Sequence, residues 1–156
     1  MPVPKSVLKF KRDGVEFISS VDRCNYTIRE LSRAALRDVG RYVVRLTTRK
    51  ARSLDGLGRT KYVQKRFQFW VRKQEGDLLV GMHNIQKNKN PGATWYGMDQ
   101  ELGLNGQPKR AFLQNSVYEN INTIRDIEAQ YLSAIEDEQQ ALALIDEEEL
   151  IGDGDE

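Results

Sequence analysis

An α+β fold is predicted, with two long amphipathic helices packed on one face of a small antiparallel sheet and a mobile acidic C-terminal tail. Three observations predict it. Apolar residues recur at three- and four-residue steps from Thr27 to about Arg52, apolar and polar residues alternate from Lys61 to Arg72, and a second helical pattern follows Pro108. On this reading the chain divides into an N-terminal arm or hairpin (1–22), an α+β core (23–135) and an acidic tail (136–156).

The first element is a short hairpin over Ser6–Ile18, turned at Asp13-Gly14. Asp-Gly between alternating apolar residues supplies the positive backbone angles that a two-residue turn requires. Next, Thr27 and Glu30 form a Thr-x-x-Glu capping-box pattern. Ile28, Leu31, Ala35, Val39, Tyr42 and Leu46 then trace one apolar face, and Gly56 and Gly58 mark the stop. Arg29, Arg33, Arg37, Arg41, Arg45 and Arg49 follow each other at a strict four-residue spacing, a ridge that winds slowly around the helix. A ridge of this kind is either a solvated face or a contact for a partner's acids or for phosphate.

A second hairpin follows. Val63, Lys65, Phe67, Phe69 and Val71 share one face of its first strand, and Tyr62, Gln64, Arg66, Gln68, Trp70 and Arg72 the other. Gln74–Asp77 is the turn, and Leu78–His83 the return strand. Phe67, Phe69 and Val71 are expected to face Leu31, Val39, Ile121 and Ile124. The polar loop Asn84–Gly92 comes next, then "TWYGMDQELGLNGQPKRAFLQNSVYENI" over Thr94–Ile121. Phe112, Val117, Ile121, Ile124, Tyr131 and Ile135 lay out the second helix, and the residues after Ile135 are expected to fray.

The 156 residues fit one domain, and 30% of them are charged. Mean hydropathy is −0.62. No apolar run is long enough for a membrane helix, and the N-terminus lacks the apolar core of a secretory signal. The net charge of +1 conceals an asymmetry. Residues 136–156 hold ten acids and no base, so the other 135 residues carry 24 bases and 13 acids, a net of +11.

Chemistry is expected to be absent. One histidine, His83, and one cysteine, Cys24, do not make a zinc site, and no catalytic group or cofactor is expected. There is no Gly-Lys dipeptide, which excludes the phosphate-cradling loop, and no G-x-S-x-G. No acid is followed two residues later by lysine. Asp99 and Glu101 are close in sequence, but such a pair more often caps a turn or meets an arginine. Cations interleaved with aromatics over Lys61–Lys73 keep open a second class of function, a small basic nucleic-acid-binding module.

The order helix, hairpin, polar loop, Trp95-Tyr96-Gly97, Glu101-Leu102-Gly103-Leu104, then Ala111-Phe112-Leu113 with Ser116 resembles the tail-completion or head–tail joining proteins of long-tailed bacteriophages. The likeness in layout spans Leu31–Ile135, and its specific residues lie in Trp95–Glu119. Three positions depart from the family pattern: Leu102 replaces an aromatic, Leu104 a threonine and Ala111 a proline. The resemblance implies a virion protein assembled in the host cytoplasm. It would form a ring at the head–tail neck, of six copies by the symmetry usual in the family's tail tubes. It would contact the tail-tube protein on one side and a head connector or stopper on the other. DNA would pass through the lumen without sequence-specific binding. Trp95, Tyr96, Gly97, Glu101, Gly103 and Phe112 are then a structural corner. Lys73, Gln74 and Glu75 at the hairpin end, and Asn84, Lys87, Lys89 and Asn90 in the polar loop, are the candidate interface.

Overall fold

Asp13 and Gly14 both take positive φ, 51° and 82°, in the two-residue turn between β1 (Leu8–Arg12) and β2 (Val15–Ser19). The pairing is antiparallel, from Leu8 opposite Ser19 to Arg12 opposite Val15. This is the hairpin that the Asp-Gly dipeptide predicts. The computed structural model describes residues 8–52, 67–82 and 92–152. Its architecture is α+β: one long helix, shorter helices and two two-stranded antiparallel sheets.

Helix α1 runs Val21–Arg52. It starts six residues before the expected cap, with the Ser20 carbonyl accepting from the Cys24 amide at 3.0 Å. Thr27 and Glu30 are therefore inside the helix. The Thr27 hydroxyl donates back to the Arg23 carbonyl at 3.1 Å, and Glu30 pairs with Arg33. The helix reaches Arg52, the last described residue of this segment, and Arg49, Lys50 and Arg52 in its last described turn are placed favourably against the negative end of its dipole.

The buried line of α1 is Thr27, Leu31, Ala35, Val39, Val43, Thr47 and Ala51, one residue in every four. The expected face named Ile28, Tyr42 and Leu46 instead of Val43, Thr47 and Ala51. Ile28 is 43% exposed. A four-residue step overshoots one turn by about 40°, so the buried line winds around the helix instead of following one side. Thr47 is tolerated in the core because its hydroxyl donates to the Val43 carbonyl at 2.8 Å.

Strands β3 (Phe67–Arg72) and β4 (Asp77–Met82) pair antiparallel, with Trp70 opposite Leu79 and Arg72 opposite Asp77. Phe67 is buried with Ala51 and Phe112, flanked by Val44 and Met82. Phe69 lies on Gly40, where a Cβ would stand 2.4 Å from the ring. Phe67 and Phe69 thus turn inward as predicted, but onto Gly40, Ala51 and Phe112; of the partners expected beneath them, Ile121 is half exposed and Leu31 belongs to the other compact unit. Lys61–Arg66, Gly56, Gly58 and His83 lie outside the described residues.

The expected second long helix is three pieces. Helix α2 (Gly92–Leu102) precedes it, α3 (Phe112–Tyr118) and α4 (Ile121–Ser133) form its body, and a 3-10 turn (Ala134–Glu136) leads to α5 (Glu138–Gly152). Asn120 makes the first break: its side-chain amide donates to the Ser116 carbonyl and its own carbonyl accepts from Ile124. Asp137 makes the second. It is extended at φ −120° and ψ 108°, and its Oδ1 accepts from the amides of Gln139 and Gln140 at 2.9 and 3.3 Å. That N-cap starts a helix in the acidic segment expected to fray.

The chain forms two compact units. One comprises Leu36–Ile127, with the Phe67 cluster as its core. The other comprises Met1–Ala35 and Glu128–Glu156, with Leu31, Ala34, Tyr131, Ala134, Ala141 and Ile145 buried.

Candidate functional site

The corner between α2 and α3 is built by backbone geometry. At the end of α2, the amides of Gly103 and Leu104 both donate to the Asp99 carbonyl, at 2.7 and 2.8 Å. Gly103 takes φ +74°, the left-handed residue that ends many helices. A side chain there would also meet the Lys109 Cβ at 2.8 Å. Asn105 and Gly106, both at positive φ, form a tight turn closed by the Gln107 amide on the Leu104 carbonyl at 2.9 Å. The chain then returns alongside α2, and the Arg110 amide donates to the Gln100 carbonyl at 2.7 Å.

Ala111 holds the N-cap position of α3 in the left-handed region and has no side-chain oxygen to cap with. Glu101 does it from the end of α2. Both of its oxygens lie 3.1 Å from the Leu113 amide, and Oε1 accepts from the Gln114 amide at 3.0 Å. Phe112 follows into the core at 5% exposure. Of the corner residues named from sequence, Glu101, Gly103 and Phe112 thus act together. Gly97 is buried inside α2; Trp95 and Tyr96 belong to the same helix, and their side chains lie outside the described residues.

The hairpin end is the second candidate region. Lys73, Gln74 and Glu75 are exposed. Arg72 clasps the base of the turn: its Nε donates to Asp77 Oδ1 at 2.6 Å and lies 2.6 Å from Glu75 Oε2. The hydrogen bond from Arg72 holds the Asp77 carboxyl below its ordinary range, and the same bond raises the guanidinium further. Trp70 and Leu79, cross-strand partners on the outer face, are 40% and 45% exposed. Asn84, Lys87, Lys89 and Asn90 lie outside the described residues.

The arginine ridge is not uniform. Arg33 is paired with Glu30, and Arg41 approaches Asp38 at 3.8 Å. Arg29, Arg45 and Arg49 are exposed and Arg37 is half-buried. Lys50, off the ridge, pairs with Glu119.

A depression of about 160 Å³ is lined by Ser20, Arg23, Cys24, Thr27, Ile28 and Ile135. Among the described residues no carboxylate or histidine lines it. Among the described residues no three His, Cys, Asp or Glu side chains are grouped to hold a metal ion, and no helix is long and apolar enough to cross a membrane.

Sequence reasoning missed Gly40, which seats Phe69, and Asp137, which starts α5. The Asp-x-x-Gln spacing of Asp137 and Gln140 was a readable signal for the second. A lone glycine inside a helical pattern gave only an ambiguous one for the first. No protein-family model matches the chain, and no curated protein or solved structure matches it either.

Proposed function

We propose that this chain is a structural virion protein of a tailed phage, forming a ring at the head–tail neck. The ring would complete the tail and join it to the head connector or stopper, with DNA passing through its lumen. The observation that carries the reading is the outer face of the second hairpin. Trp70 and Leu79 present adjacent large apolar side chains there, and Met98, Leu102 and Leu104 are exposed elsewhere in the same unit. Apolar side chains grouped at a surface mark places where another protein binds. Two different patches on one subunit are what a closed cyclic ring needs, since each contact joins unlike faces. The corner supports the reading in a second way. Its Glu101, Gly103 and Phe112 are among the residues that carry the resemblance to tail-completion proteins, and all three hold the fold, which leaves the outer surfaces for assembly.

Mass measurement on the full chain tests the proposal. The expected species contains six copies of the 18.0 kDa chain, formed alone or with tail-tube protein. Trp70→Ser combined with Leu79→Ser should reduce it to monomers with an unchanged circular dichroism spectrum. Locating the chain by cryo-electron microscopy as a monomer within an intact neck would refute the ring. Normally joined particles from a chain lacking residues 84–92 would remove the polar loop from the interface.

A further inference from the structure

We propose that the face of α1 bearing Arg37, Arg41, Arg45, Arg49 and Arg52 docks on the phosphate backbone of duplex nucleic acid without reading its bases. The inference stands on this helix face and holds whether or not the chain closes a ring. All five arginines lie in one compact unit.

Geometry puts them together. An α-helix turns about 100° and rises about 1.5 Å per residue, so the steps from Arg37 to Arg49 each advance about 40° and cover an arc of about 120°. Arg52 falls inside that arc, and the five span about 22 Å of helix. The buried residues Val39, Val43, Thr47 and Ala51 each lie two positions further on, about 200° away, and wind at the same rate. Arg37, Arg41, Arg45 and Arg49 therefore lie opposite that line, and Arg52 lies about 100° from Ala51; Arg45, Arg49 and Arg52 are exposed, whereas Arg37 and Arg41 are half-buried.

The charge is largely unanswered. Leu36–Arg52 contains six bases and one acid, Asp38. Asp38 approaches Arg41, and Lys50 with its partner Glu119 lies outside the arc. Arg37, Arg45, Arg49 and Arg52 have no ion pair among the described residues. Like charges four residues apart cost a helix a few tenths of a kcal/mol per pair. Folding alone therefore gives no reason for the row.

Two features select the partner. No aromatic residue falls in the arc; Tyr42 sits at its margin, with its hydroxyl donated to Asn120 Oδ1 at 3.2 Å. Single-strand binders stack bases on aromatic rings, and this face has none to offer. The even four-residue spacing also suits a rigid, evenly charged track, of which about 22 Å carries about six phosphates per strand. A second copy's acidic segment fits less well, because residues 139–145 hold no charge between its two acidic groups.

The test is fluorescence anisotropy of the full chain with a mixed-sequence 30-base-pair duplex, titrated at several salt concentrations. Each engaged phosphate contributes about −0.9 to the slope of log K against log salt, so five predict about −4 to −5. R45Q/R49Q/R52Q should lose about 2.7 of that slope at unchanged circular dichroism, and R45K/R49K/R52K should retain it. A wild-type slope in the glutamine variant overturns the proposal, as does a loss of slope in the lysine variant or tighter binding to a single strand of the same length. Absence of duplex binding, with self-association that the glutamine variant abolishes, would assign the ridge to a second copy instead. Mass measured in the same samples reports ring formation separately, so either reading can fail alone.

Discussion

The carboxylate of Glu101 reaches the amides of Leu113 and Gln114 because Ala111, in the N-cap position, has no oxygen to offer them. Removing a helix cap costs about 0.5–2 kcal/mol. Glu101→Ala should lower stability to urea by about 1–2 kcal/mol, and Glu101→Gln, which keeps one carbonyl oxygen, by less. Equal losses in both would mean that packing, not capping, is what Glu101 provides. The Arg72 clasp makes a second prediction at this scale. Asp77 titrates below its ordinary value because Arg72 donates to its ionised form. A lowered folded value means that the clasp's contribution is complete above about pH 3.9 and is lost as pH falls through the folded value. An NMR titration should place the Asp77 midpoint below 3.9, and Arg72→Gln should return it to about that value. Glu101 was legible in sequence as an acceptor for backbone amides or an arginine, but not which amides it takes. A contact across twelve residues depends on the return of the chain past Gly103, which periodicity does not encode.

Among the elements, both hairpins and the reach of α1 to Arg52 were legible, because Asp-Gly, strict alternation and helical period are local signals. The start of α1 was not. Thr27 and Glu30 imitate a capping box in mid-helix, while the true start at Ser20 precedes a stretch without apolar period. Helix α2 was missed as well, since Gly92 and Gly97 weaken its propensity and it is too short for a clear pattern. Gly40 shows how an element's packing escapes the sequence. Glycine in a helix interior costs about 1 kcal/mol relative to alanine, yet here it makes room for Phe69. Gly40→Ala should therefore destabilise by about 1–3 kcal/mol despite its better propensity. Adding Phe69→Leu should recover part of that loss in a double-mutant cycle, whereas strict additivity would show that the ring does not rest on Gly40.

For the whole molecule, the α+β class was readable from the order of patterns, whereas the division into two compact units was not. Helix α1 runs through both units, and a continuous helical pattern carries no mark of where one core gives way to the next. The unit Leu36–Ile127 has a small buried cluster, Ala51, Phe67 and Phe112. Phe112→Ala should cost about 3–5 kcal/mol. Against a typical total of about 5–15 kcal/mol, that is enough to depress the melting temperature steeply. An unchanged melting temperature would make Phe112 dispensable to the core. The candidate surfaces were less legible than the core, because hydrophobic period reports which side faces inward and is silent about what meets the outside.

The reach of Glu101 to α3 also fixes an order of events in time. A segment whose first amides are satisfied from twelve residues upstream has no start of its own, and helices this short are marginal in water even when capped. During synthesis, α3 should therefore form only once α2 and the intervening turn are in place. A synthetic peptide of residues 108–121 should be a random coil by circular dichroism, and one of residues 92–121 should gain helix that Glu101→Ala removes. The corner then sets when this part of the chain folds as well as where it goes, and a substitution at Glu101 should slow refolding if closure of the corner belongs to the rate-limiting step.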